Sequence, residues 1–112
     1  MKKLQNVTDE PHQRHTIVFE ESEIVLSLRY LPTVEMWVMD VGYGDVSTYG
    51  LKLSVGVLHM RSRNYPFDFI VTDNIETGLD PIRADDFSTG RCSMYLLEAE
   101  DMQEIRGAAV PF

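Results

Sequence analysis

At 112 residues, 44% hydrophobic and 25% charged, the chain has the size and make-up of one globular domain with a single core. No stretch approaches the ~20 consecutive apolar residues of a membrane span, and residues 1–14 lack the apolar run of a secretory signal. A formal charge of −8, from 18 acidic against 10 basic residues, argues against affinity for nucleic-acid phosphates.

Residues 1–14 show no apolar period and contain Asn6, Asp9, Glu10 and Pro11. They read as a flexible or partner-ordered arm, followed by a single β domain over 15–106 and a tail over 107–112. The first strand is expected at Thr16–Glu20, with a turn near Glu21-Ser22. From Ser22 to Tyr30 the residues alternate: Ile24, Leu26, Leu28 and Tyr30 take one side, and Val25, Ser27 and Arg29 the other. Such a period of two means a half-buried strand. Pro32-Thr33 ends it. Met36–Val41 is the next strand, with Trp37, Met39 and Val41 on a shared face, and Gly42-Tyr43-Gly44-Asp45 supplies turn glycines. Tyr49–Val55 alternates again. Val57-Leu58-His59-Met60 fits either one helical turn or an extended piece.

Phe67–Thr72 forms the fifth strand, with Phe67, Phe69 and Val71 on one side. Residues 74–91, with Gly78, Asp80-Pro81, Asp85-Asp86 and Gly90, form a long loop. Loops beyond ~12–15 residues are commonly functional or partner-ordered. Cys92–Glu98 is the last strand, and its lone cysteine reads as a structural thiol. Ala99–Arg106 allows a short helix before Gly107. With about six strands and no long helices between them, the fold class is mostly β, a small antiparallel sandwich or open barrel.

Chemistry is sparse. His12 and His15 lack a third ligand, so no metal site is expected there. Gly42-Tyr43-Gly44 lacks the third glycine and long helix of a dinucleotide motif, and no cofactor is expected. Asp80, Asp85 and Asp86 form the one catalytic-looking cluster. Paired carboxylates hold a divalent cation or do acid–base work, but the same residues before Pro and Phe serve as turn and capping groups. No Ser-His-Asp arrangement emerges, and the chain reads as a non-enzyme.

The acids Glu76, Asp80, Asp85, Asp86, Glu98, Glu100, Asp101 and Glu104 face only Arg83 and Arg91 in their stretch, giving a solvated face or a site for a basic partner. Trp37, Phe67 and Phe69 lie on strands and read as core. The interface candidates are Tyr65 and Phe87 in loops, the acids Asp80, Asp85 and Asp86, and His12 and His15 in the arm. A free adaptor that binds peptides at a sheet edge and an enzyme using the three aspartates with a cation are the competing readings.

From Thr16 to Met102 the order of segments resembles the small baseplate plug family of contractile-tailed bacteriophages. The resemblance rests on Val25-Leu26-Ser27-Leu28-Arg29-Tyr30, then Met36-Trp37-Val38-Met39-Asp40-Val41, then Tyr49 to Leu58. Phe67-Asp68-Phe69-Ile70-Val71, Asp80-Pro81, Asp85-Asp86-Phe87 and Met94-Tyr95-Leu96-Leu97 complete it. The charged arm and Arg61-Ser62-Arg63-Asn64 depart from the pattern.

The resemblance implies a virion structural protein made in the host cytoplasm and placed in the tail baseplate near the central tube and hub. Its partners would be tube, hub and wedge proteins, with several copies around the tail axis. An acidic surface turned to the tail channel would let DNA pass without sticking.

Overall fold

The computed structural model describes residues 1–60 and 65–102. Among these residues seven strands form two antiparallel sheets. One is a four-stranded meander: β2 (His12–Phe19), β3 (Ser22–Leu31), β4 (Met36–Tyr43) and β5 (Val46–Lys52) lie side by side in chain order. The other has three strands in the order β1 (Lys2–Lys3), β7 (Cys92–Leu97), β6 (Asp68–Asp73). Residues 99–102 make a short helical turn. This is the mostly β antiparallel class expected from the sequence, which allowed a sandwich or an open barrel; the chain forms two sheets, with β1 as an extra strand.

One core joins the sheets. The meander contributes Ile24, Leu26 and Leu28 from β3 and Trp37, Met39 and Val41 from β4. Phe69, Val71, Cys92, Met94 and Leu96 meet them from β6 and β7. Phe67 is the hub of the aromatic packing. Its ring lies 5.4 Å from Phe19, 5.2 Å from Tyr43, 5.4 Å from Tyr65 and 5.7 Å from Phe69. Burying each such side chain contributes about 1.5–3 kcal/mol, and tilted or edge-on rings add about 0.5–1.5 kcal/mol per pair.

Several boundaries differ from the sequence reading. Residues 1–14 do not stand apart as an arm. Lys2 and Lys3 pair with Leu96 and Tyr95, the Leu4 N–H donates to the Met94 carbonyl at 2.9 Å, and Leu4 and Val7 pack against the core. β2 starts at His12, well before Thr16. Polar edge strands carry no apolar alternation, so only the partner strand reveals them. β5 begins at Val46 and stops at Lys52. Leu53 still donates its N–H to the Trp37 carbonyl of β4 at 2.9 Å, and the chain then crosses to the other sheet, where Val55 bridges Val71. The end of the expected C-terminal helix, 103–106, and the tail 107–112 lie outside the described residues.

Candidate interaction surfaces

The long loop is built as a rigid cover. Arg91, at its end, clamps it. The guanidinium grips Asp86 with two bonds of 2.9 Å, donates to the Asp80 carbonyl at 2.7 Å, and reaches the Leu79 carbonyl and Thr77 Oγ1 at 3.2 Å. Asp73 lies 3.5 Å away. Asp86 Oδ2 also accepts the N–H groups of Ile82 and Arg83, each at 2.8 Å. Burial pushes the Asp86 carboxyl up, but Arg91 and the two backbone donors outweigh it and bring its pKa down to about 2. The loop in turn covers the aromatic end of the meander. Trp37 Nε1–H donates to the Arg83 carbonyl at 3.0 Å and the Tyr30 hydroxyl to the Ile82 carbonyl at 2.7 Å.

The three aspartates therefore do separate work. Asp86 holds Arg91. Asp80 accepts the Val55 N–H at 2.9 Å and lies 3.5 Å from Lys52 Nζ. Asp85 is exposed, and its carbonyl accepts from Thr89 N and Ser88 Oγ. No group of three His, Cys, Asp or Glu residues suited to a metal ion exists among the described residues.

Phe87 is buried, edge-on to Trp37 at 5.7 Å. Tyr65 is half-buried on Phe67, with its hydroxyl 2.9 Å from Thr48 Oγ1. Both loop aromatics thus work inside the fold, because the loops that carry them fold back over the core. His12 and His15 are three apart, which in a strand puts them on opposite faces. His12 is exposed opposite Arg29. His15 is half-buried opposite Leu26, its Nε2 2.8 Å from Gln13 Oε1, and burial lowers its pKa.

What stays open is the outer face of the meander. A shallow trough of about 600 Å³ crosses it. Its floor is small-sided: Val25, Ser27, Gly42 and Ser47. Arg14, Glu23, Asp40 and Tyr49 also line it. A Cβ on Gly42 would meet only Ser47 Oγ at 3.5 Å, an ordinary contact, so the fold itself does not demand glycine there. Glycine inside a strand often marks close approach by another molecule. Tyr49 is 75% exposed, held out by a bulge. There Asp40 Oδ1 accepts the Gly50 N–H at 2.8 Å and an Arg29 donor at 3.1 Å. The sequence reading took Gly42 as a turn glycine, whereas it lies inside β4 opposite Val25, and it did not single out Asp40 or Tyr49 as contact residues. The available signal was Gly50, a glycine inside a strand pattern, which commonly marks a bulge.

Among the described residues this open face carries no cluster suited to a metal ion. The comparison with protein families gives it a setting. A family model described as cyanophage baseplate Pam3 plug gp18 matches residues 1–100. The chain belongs to this baseplate plug family. The match takes in residues 1–14, which stand outside the segments that carry the resemblance in sequence. No curated protein matches the chain. Family membership makes the protein a structural component of a phage tail baseplate, associated with other baseplate proteins. No helix among the described residues is long and apolar enough to cross a membrane.

Proposed function

We propose that the protein acts as a plug or adaptor close to the central tube and hub of a contractile tail. It works by protein–protein contact, in several copies around the tail axis, and without catalysis or direct nucleic-acid binding. It is made in the host cytoplasm before joining the virion. Tube, hub and wedge proteins are its partners.

The observation that carries this reading is the outer face of the meander. Its trough has a low floor, a protruding Tyr49 and no intramolecular reason for Gly42. An exposed aromatic beside a shallow groove is the usual anatomy of a contact hot spot. Two of the three carboxylates that would serve an enzyme, Asp80 and Asp86, instead hold loop and strands in place. Of the candidates named from sequence, Asp85 and His12 remain exposed and available to a partner.

The test is co-expression with the tube, hub and wedge proteins of the same tail, followed by co-purification. Gly42→Arg fills the trough and Tyr49→Ala removes the aromatic. Both variants are expected to lose the complex while keeping the parent melting temperature. Complexes with tube and hub that survive both changes would remove the meander face from the contact.

A further inference from the structure

The geometry points to β2 as the seam of a two-fold dimer, in which a second copy of this chain lays its own β2 antiparallel along the free edge. This state belongs to the unassembled protein and does not rest on the baseplate role.

Among the described residues β2 has one neighbour in its sheet, β3. Their register runs unbroken from His12 to Phe19, so the far side of β2 presents a regular row of backbone donors and acceptors. A slot of about 410 Å³ between Leu4–Asn6 and Arg14–Ile17 runs beside that edge. The opposite edge, β5, is different. The bulge and the positive φ of Gly50, 71°, interrupt it, as edges guarded against pairing commonly are.

Charge selects the occupant. β2 starts with exposed His12 and Arg14 and ends at exposed Glu20 and Glu21. Antiparallel pairing about a two-fold axis sets the basic start of each copy beside the acidic tip of the other, and does so twice. A head-to-tail chain of β5 against the next β2 is also antiparallel, because the meander order sends its two edges in opposite directions. That arrangement sets Asp45 beside Glu20 and Lys52 beside Arg14, like against like. The charge pattern therefore favours the two-fold pair over the open chain.

Sedimentation velocity on the purified full-length protein, over a concentration series at low salt, decides. The expected result is a monomer–dimer equilibrium that weakens as salt rises. Arg14→Glu and Glu20→Lys should each raise the dissociation constant by roughly tenfold or more, since each change acts at both ends of the seam. The double variant R14E/E20K should recover the dimer. Circular dichroism melts show that each variant is folded. A monomer at every concentration overturns the proposal. So does a dimer indifferent to both single changes, and so does a β2 edge that pairs only with tube or hub protein.

Discussion

The two sheets use the same alternating backbone for different ends. In β3 burial alternates strictly from Ile24 to Leu28, with one face in the core and the other open. In β7 burial is nearly continuous: Cys92, Ser93, Met94, Leu96 and Leu97 are all buried. The cause is what lies outside each sheet. Around β7 the chain folds back on itself. Asn74 donates to Ser93 Oγ at 2.8 Å, Met102 is buried, and the Met1 ammonium pairs with Asp101 at 2.9 Å. Nothing among the described residues covers the meander's outer face in this way. On the proposed function, the three-stranded sheet is scaffold and the outer face of the meander is display. Mutations on the two sides should therefore separate stability from binding.

The sharpest break is Arg91→Met. It leaves the buried Asp86 carboxylate without its cation, which costs about 3–5 kcal/mol. Urea denaturation should show that loss as a lower midpoint with little change in slope.

A smaller effect comes from pH. The folded pKa of Asp86 is depressed to about 2 from an ordinary 3.8, so its ionised form stabilises the fold above the unfolded pKa. That contribution, roughly 2 kcal/mol, is lost as pH falls from about 5 toward 2. Asp68 opposes it. Burial raises its pKa, and its Oδ2 has no hydrogen-bond partner among the described residues, so protonation on acidification relieves a penalty. Asp86→Asn should flatten the acid limb of the stability curve, and Asp68→Asn should steepen it. Thermal melts from pH 7 to 2 read both slopes.

On the display side the expected costs shrink. Gly50→Ala places a side chain at φ 71° with no neighbour within 4 Å, so only backbone strain is added, about 1 kcal/mol. Last, Tyr49→Ala should change stability by less than about 0.5 kcal/mol. Its effect belongs in partner binding alone. A Tyr49→Ala protein that melts like Arg91→Met would collapse the distinction between the two sheets.

How much of this was written in the sequence follows the same division. The alternation of β3 and of Trp37, Met39 and Val41 in β4 was legible, because one face meets water and the other the core. Phe67 and Phe69 were legible as core for the same reason. β1 and the start of β2 were not, because Lys2, Lys3, His12 and Arg14 carry no apolar period. Their strand state comes from pairing with residues far along the chain.

The loop 74–91 was legible as a loop, but its rigidity was not. That depends on Arg91 meeting Asp86 and three backbone carbonyl or hydroxyl groups at once. The interface candidates suffered most from this. Phe87 and Tyr65 sit in loops, yet the loops turn inward. Asp86 looks like surface chemistry and is an internal brace. The trough went unnoticed since small side chains such as Ser27 and Gly42 give no pattern until neighbouring strands set them side by side.

The buried thiol of Cys92 gives the scaffold half a built-in clock. It is 1% exposed, and burial pushes its pKa up to about 11 despite the neighbouring Arg91 charge. A thiolate-seeking reagent therefore finds almost nothing to attack while β7 stays docked. Labelling proceeds only through openings that free the strand. The rate of alkylation at neutral pH, followed by mass spectrometry, thus counts how often this part of the molecule comes apart.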